Sequence, residues 1–276
     1  MPTDDVAVAA AAAGAAADVL LELRTQGLTG RALGDAGDAA AQRAILSVLT
    51  RERPDDVVFS EEATDDRRRL DADRVWIVDP LDGTREYGEP DRHDWAVHVA
   101  LWSTGELTTA AVALPALGEV LVTDPPAVVP VRAGGPVRIA VSRTRPPAVA
   151  SAVAAAVGGE LVALGSAGYK TVAVVRGEVD AYVHAGGMYQ WDSAAPVAVA
   201  RAAGLTTCRL DGSPLVYNAA DPSLPDLVVC RPELAERILA AVRSARWRTL
   251  ERESGPQRGG CPSFEPLMSS LRSPLA

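Results

Sequence analysis

Residues 74–87, R-V-W-I-V-D-P-L-D-G-T-R-E-Y, constrain this chain more tightly than any other stretch. Val75 to Val78 is a short apolar run rich in β-branched and aromatic residues, which predicts a buried strand ending at Asp79. Asp79 and Asp82 follow on either side of Pro80, whose ring fixes one φ angle, so both carboxylates can converge on one point. Converging carboxylates repel, and a hard divalent cation such as Mg²⁺ relieves the repulsion by taking oxygen ligands, with the Leu81 carbonyl available to join them. Gly83 permits close backbone approach, and the N–H groups of Gly83 and Thr84 beside the Thr84 hydroxyl form an anion pocket next to the acids. Taken singly, D-P and D-G pairs more often mark a plain turn. A second acidic pair shifts the balance: Glu61 and Glu62 end another short apolar stretch, Val57 to Phe59. Three acids delivered by two strand ends suit a metal site better than a solvated turn.

The chain's 276 residues suffice for two packed domains. A net charge of −9 argues against a nucleic-acid-binding surface, but an acidic protein can still hold phosphates through metals. Of 27 basic residues one is lysine, Lys170, which makes it conspicuous wherever Arg would serve as a point charge. Cys208, Cys230 and Cys261 are widely spaced with no C-x-x-C, which indicates neither a disulfide framework nor zinc and fits a reducing compartment. Asp4 and Asp5 precede the first apolar run and Asp18 interrupts it, so neither a signal peptide nor a membrane span is expected, and a cytoplasmic enzyme follows.

In chain order, Asp4 to Arg24 predicts a helix. The four glycines between 27 and 37 predict a flexible turn or short hairpin, with Asp38 then capping a helix over 39–50. Residues 95–102, 107–114 and 118–123 predict an antiparallel sheet whose first two strands form a hairpin. His93 and His98 lie there and are left out of the metal site. Residues 124–136 mix Pro, Val and Gly and predict a linker, which divides the chain into 1–135, 136–250 and a mobile tail, 251–276. Beyond the linker, strands at 138–141, 161–164, 179–184 and 227–229 alternate with helices at 148–157, 167–176, 193–203 and 232–246, an α/β pattern in which Asp192 caps the third helix.

W-I-V-D-P-L-D-G-T, preceded by S-E-E and followed about a hundred residues later by W-D-S-A-A-P, resembles the inositol monophosphatase superfamily of Mg²⁺-dependent, lithium-sensitive phosphomonoesterases. The resemblance runs from about residue 4 to residue 247 and implies an α/β fold, the five-layer α/β/α/β/α sandwich of sugar phosphatases. It implies two or three Mg²⁺ ions held by Glu61, Asp79, the Leu81 carbonyl, Asp82 and Asp192. It also implies that Asp38 orients the Thr84 hydroxyl and that Asp38, Glu61 and Thr84 act in catalysis. D-G-T-R-E-Y is similar to the D-G-T-K-E-F pattern of the CysQ-type 3'(2'),5'-bisphosphate nucleotidases, where inositol phosphatases usually carry Thr-Asn after D-G-T. V-S-R-T-R (141–145) and G-S-A-G-Y-K (165–170) resemble that group's substrate segments, which adds Ser142, Arg145, Gly165, Ser166 and Lys170 to Glu61, Leu81, Asp82, Gly83, Thr84 and Asp192 as substrate contacts. Lys170 and Arg145 could hold a second phosphate as point charge and bidentate fork. Arg145 stands where the nucleotidases often have His, and Pro196 where a glycine is usual. The implied reaction is removal of the 3'-phosphate of 3'-phosphoadenosine 5'-phosphate in sulfur assimilation, with its sulfated precursor as a further substrate and a homodimer as one assembly. The rival readings are an inositol-1-phosphate or fructose-1,6-bisphosphate phosphatase and a non-catalytic phosphometabolite binder.

Overall fold

The alternation of inward and outward residues along ten strands decides how the layers of this protein stack. The computed structural model describes residues 4–254, with side chains to residue 245. Two helices, α1 (Asp5–Arg24) and α2 (Gly30–Glu52), precede five strands: β1 (Val57–Ser60), β2 (Arg74–Asp82), β3 (Ala96–Ser103), β4 (Glu106–Leu114) and β5 (Glu119–Val122). A single turn of helix, α3 (Thr84–Tyr87), leaves β2. The first sheet has the order β1-β2-β3-β4-β5, parallel between β1 and β2 and antiparallel elsewhere. A second set follows: β6 (Val137–Ser142), α4 (Ala148–Val157), β7 (Gly159–Leu164), α5 (Ala167–Val175), β8 (Ala181–Tyr189), α6 (Ala194–Ala202), β9 (Thr206–Cys208), β10 (Ser223–Cys230) and α7 (Ala235–Ser254). Its sheet has the order β7-β6-β8-β10-β9.

Residues of period two send Trp76, Val78, Val97, Val99, Ala111 and Ala113 to one face of the first sheet, where α1 and α2 cover them. Val75, Ile77, Ala100, Ala110 and Val112 on the opposite face meet α5 and α6, which in turn cover Ala140, Tyr182, Leu227 and Val229 of the second sheet. The outer face of that sheet, with Ile139, Val141, Val183 and Val228, packs on α4 and α7. The result is the five-layer α/β/α/β/α sandwich, and the small residues of α5 and α6 let both sheets approach them closely. Helix α1 is long and apolar enough to cross a membrane, with a mean hydropathy of 1.8, and Val8, Ala9, Ala12, Ala13, Ala16 and Leu20 are buried against α2 and the first sheet.

Several boundaries differ from expectation. The glycine-rich stretch is helical: α2 starts at Gly30, so Asp38 lies in its interior and caps nothing. The glycines serve packing, because a Cβ at Gly34 would lie 2.6 Å from Thr84 Cγ2 and one at Gly37 would lie 2.7 Å from Tyr87. Strand β2 runs on through Pro80 to Asp82, with a register shift against β3 between Asp79 and Asp82 that absorbs the missing N–H. The cap of α6 is Ser193, while Asp192 accepts a hydrogen bond from the Tyr189 N–H at 2.6 Å. Strand β9 went unanticipated, since three residues carry no period. Helix α7 reaches Ser254, past the predicted start of the tail, and the remainder of the tail, with Cys261, lies outside the described residues.

The two sequence halves are clasped by Arg69, a cation with no solvent exposure in the 3₁₀ turn Arg67–Leu70. It forks onto Asp65 (2.6 and 3.1 Å), donates to Asn218 Oδ1 (2.9 Å) and Ala219 O (3.0 Å), and stacks over Phe59 at 4.0 Å. Arg69→Met is expected to cost about 2–4 kcal/mol, because the buried Asn218 Oδ1 loses its donor and the Asp65 carboxylate loses its fork. The shift in a urea denaturation midpoint measures it, and an unchanged midpoint would show the clasp to be idle.

Candidate active site

Strand β1 delivers Glu61, strand β2 delivers Asp79 and Asp82, and the turn before α6 delivers Asp192, so four acids reach one region from three chain segments. Burial of Asp79 is near complete and that of Asp82 nearly so. Desolvation is the leading cause of the perturbed titration here, and mutual repulsion follows. Glu61 is pushed up to about 7 by burial and then by Asp192, Asp82 and Asp38. Asp192 is pushed up to about 7 by burial and Asp82, against the Tyr189 N–H and Lys170. Asp79 is raised well above the carboxylate range by burial, Asp82, Glu61 and Asp192.

Two of the acids are drawn to donors of their own: Asp79 to the Leu81 N–H (3.1 Å), and Asp82 to the Ser166 hydroxyl and the Ala167 (3.1 Å) and Gly168 N–H groups at the start of α5. Among the described residues no three His, Cys, Asp or Glu side chains converge in ligating geometry. The donor set still fits hard divalent cations: it is all oxygen, and burial followed by mutual repulsion raises the Glu61, Asp79 and Asp192 carboxyls, the condition that bound positive charge relieves.

Gly83, at φ 89°, turns the chain from β2 into α3. Thr84 Oγ1 then stands 3.4 Å from Asp38 Oδ1 and 3.1 Å from Leu81 O. The Asp38 carboxyl is pushed up to about 7, first by burial and then by Glu62. Structure therefore brings together Asp38, Glu61, Asp79, Leu81, Asp82, Gly83, Thr84 and Asp192. A cleft of about 450 Å³ opens beside Asp82 and Gly83, lined further by Arg85, Ser142, Arg145, Gly165, Ser166 and Lys170. Lys170 differs from expectation. Its ammonium is buried and donates to Gly165 O (2.8 Å) and Ser166 O (2.6 Å), so it holds that turn and keeps one N–H for the cleft; burial lowers it to about 8. Ser166 adopts φ 35°, a strained value for a non-glycine residue, and its hydroxyl both caps α5 at Tyr169 N and donates to Asp82.

His98, set aside from sequence, lies under the acids. It is fully buried, with Nε2 3.4 Å from Asp82 Oδ2 and Nδ1 3.1 Å from Trp191 O. Burial lowers its pKa, so the ring is neutral, with Nδ1–H donating to Trp191 O and Nε2 left without a hydrogen-bond partner beside Asp82. A signal existed: strand period two puts His98 opposite Asp79 in register. Pro196 falls in the first turn of α6, where its missing N–H is no loss.

The layered fold and the acid cluster at its cleft define a class, metal-dependent phosphatases, and the comparison with known families agrees. The model of the inositol monophosphatase family matches residues 2–125 and 133–246, and the chain belongs to that family. Over 253 residues it is 53% identical to the 3'-phosphoadenosine 5'-phosphate phosphatase of Mycobacterium leprae, covering 87% of this chain and 93% of that protein. It is 30% identical over 200 residues to the 3'(2'),5'-bisphosphate nucleotidase CysQ of Escherichia coli strain K12, covering 68% and 81%. Among solved structures, CysQ from Bacteroides thetaiotaomicron superposes with a TM-score of 0.70 at 23% identity, over 82% of this chain and 97% of that one. An inositol monophosphatase from Staphylococcus aureus MSSA476 superposes with a TM-score of 0.73 at 20% identity, over 88% and 97%, a likeness of fold.

Proposed function

We propose that this protein is a phosphomonoesterase that removes the 3'-phosphate of 3'-phosphoadenosine 5'-phosphate, giving AMP and phosphate. The observation that carries the reading is the lining of the cleft, where Asp82 of the acid cluster shares the wall with a basic end made of Arg85, Arg143, Arg145 and Lys170. Such a site suits a ligand with two phosphates, and an inositol monophosphate would leave the basic end without a partner. The nucleotide is favoured among bisphosphates by the relatives named above. The basic end also suits the sulfated precursor as a second substrate. Residues up to 135 and 136–250 act as two domains that meet at the cleft, and the enzyme works in the cytoplasm.

Glu61, Asp79, the Leu81 carbonyl, Asp82 and Asp192 would hold two or three Mg²⁺ ions, which when bound supply Lewis-acid charge to the phosphoryl oxygens and lower the pKa of water. Thr84 Oγ1, aimed by Asp38, and the Glu61 carboxylate orient the attacking water, whose proton passes through the Thr84 hydroxyl to the Asp38 carboxylate. The P–O bond forms in line as the bond to the 3'-oxygen breaks, and that oxygen leaves protonated by solvent. N–H groups at Gly83 and Thr84 face the equatorial oxygens. Arg145, exposed at the cleft mouth, takes the 5'-phosphate as a fork, and the remaining Lys170 N–H assists.

Phosphate release with Mg²⁺ tests the reading on 3'-phosphoadenosine 5'-phosphate, inositol-1-phosphate and fructose-1,6-bisphosphate at equal concentration. A kcat/KM at least about tenfold higher for the nucleotide is expected, a difference one well-made charged contact can supply. A sugar phosphate preferred over the nucleotide would sink the substrate assignment, and no release from any of the three would sink the enzymatic one.

A further inference from the structure

Glu86 belongs to the same D-G-T-R-E-Y stretch as the acids and lines the same cleft as Asp82, yet its carboxylate is tied to the other half of the chain. The side chain is buried, 7% exposed, an expensive place for a carboxylate without a partner. Its partner comes from the other half of the chain: Arg143 Nε donates to Glu86 Oε1 at 2.6 Å, while Arg143 Nη2 donates to Glu89 Oε1 at 2.6 Å. One guanidinium thus spans two carboxylates on α3 and the residue pair after it. Arg143 sits between Ser142 and Arg145 in the loop that leaves β6, and its own N–H donates to Leu164 O at 3.1 Å, which ties that loop to the end of β7.

The end of β7 closes on the same carboxylate. A Cβ at Gly165 would lie 2.3 Å from Glu86 Cγ and 2.6 Å from its Cδ, so the turn carrying Ser166 packs directly on the Glu86 side chain. Asp94 takes the Gly165 N–H from beside it. Glu86 therefore touches both loops that line the basic end of the cleft, and it is two residues from Thr84.

We propose that Glu86, Glu89 and Arg143 form a positioning unit that sets the distance between the D-G-T turn, where the scissile phosphate lies, and the 142–145 loop, where the second phosphate lies. The inference rests on the two-phosphate reading above. Arg145 is exposed and its backbone N–H bonds Ser142 Oγ at 3.2 Å, so the position of its guanidinium follows the position of the loop. The loop's link to the D-G-T turn is the Arg143 fork. A rigid bidentate fork fixes direction as well as distance, which a lysine in its place would not. Glu86 and Arg143 also line the cleft, but the Arg143 guanidinium is engaged by two carboxylates, so the unit acts as a positioning device through Arg145 and Ser142.

The test compares 3'-phosphoadenosine 5'-phosphate with 3'-AMP, which shares the scissile bond and lacks the 5'-phosphate. For Arg143→Met, KM for the bisphosphate is expected to rise about tenfold or more with kcat within about threefold, since a misplacement near 1 Å weakens one charge-assisted contact. KM for 3'-AMP is expected to move less than about twofold, and Arg143→Lys should recover part of the loss. Glu86→Gln, nearly isosteric, carries the same test should Arg143→Met melt early, with a smaller shift in the same direction. Equal shifts for both substrates, or none for the bisphosphate, overturn the inference and leave the substrate assignment standing. A wild-type enzyme that does not prefer the bisphosphate to 3'-AMP sinks the two-phosphate reading, and this inference with it.

Discussion

Asp79→Asn is expected to lower kcat by about 10³-fold or more while raising the melting temperature of the metal-free protein. The two halves of that expectation have one cause. Asp79 is 1% exposed, and its carboxyl is held well above the usual range by burial and by Asp82, Glu61 and Asp192. At neutral pH the folded protein must either keep a proton there or pay for a charge that three neighbours oppose. Asparagine keeps the shape and the acceptor for the Leu81 N–H at 3.1 Å, and removes the charge. Stability therefore rises, whereas a ligand of the proposed cations is gone, and about 4 kcal/mol of transition-state stabilisation corresponds to the loss given above. Phosphate release at saturating Mg²⁺ and a melt in chelator measure the two together. Turnover near the wild-type value would remove Asp79 from the metal site, and a lowered melting temperature would mean that the carboxylate serves the fold.

The layered sandwich was legible through the family resemblance of the motifs, and the structure shows the period that builds it. Trp76 and Val78 alternate with Val75 and Ile77, and that alternation alone assigns the two faces of β2 to different cores. The acids were legible because strand ends and a Pro-fixed turn leave few directions for a carboxylate. What sequence misread were residues whose role is set by a distant neighbour. Gly34 and Gly37 look like turn signals, but they are smooth places on α2 that admit Thr84 and Tyr87, and this close approach brings Asp38 to Thr84 from a helix interior. Lys170 was conspicuous as the lone lysine, yet two of its N–H groups serve the backbone of its own turn. Arg143, Glu86 and Arg69 carry no local pattern at all, since each is defined by a partner more than fifty residues away.

Asp82 shows why the metal-free cluster need not collapse. Three donors at the start of α5 take its two oxygens, so an acid of the first sheet anchors a helix that lies between the sheets. The same helix start carries Ser166 and, through its backbone, Lys170. The D-G-T turn, acid cluster and start of α5 are thereby linked by hydrogen bonds, and the cleft lies between residues of both halves.

Without divalent cations the protein is expected to lose stability as pH rises from about 5 to 7.5, by roughly 3 kcal/mol, and to recover it on addition of Mg²⁺. The sign follows from which state holds more protons. Asp38, Glu61 and Asp192 titrate near 7 in the fold, and Asp79 is raised well above its ordinary value, whereas in the unfolded chain such groups titrate near 4. Across that window the native state binds more protons than the unfolded state, so the slope of unfolding free energy with pH is negative. Ion-paired acids such as Asp5 and Asp65, held below their ordinary values, act with the opposite sign, but their contribution is complete once the pH exceeds about 5. His98 and His184, both lowered by burial, also act oppositely and are outnumbered two to one. Solvent reaching Glu61 and Asp38 reduces their share, which is why the figure stands well below the sum of the separate shifts. A drop of about 5–10 °C in melting temperature between pH 5 and 7.5 in chelator is the corresponding reading for a chain of this size. Binding to the native cluster at saturating Mg²⁺ stabilises the fold in proportion to the logarithm of cation concentration, so the recovery should be steepest at pH 7.5 and weak at pH 5, where protons already neutralise the acids. A flat or rising profile in chelator, or a melt at pH 7.5 that ignores Mg²⁺, would show that these acids are neutralised within the protein and would count against their assignment as cation ligands.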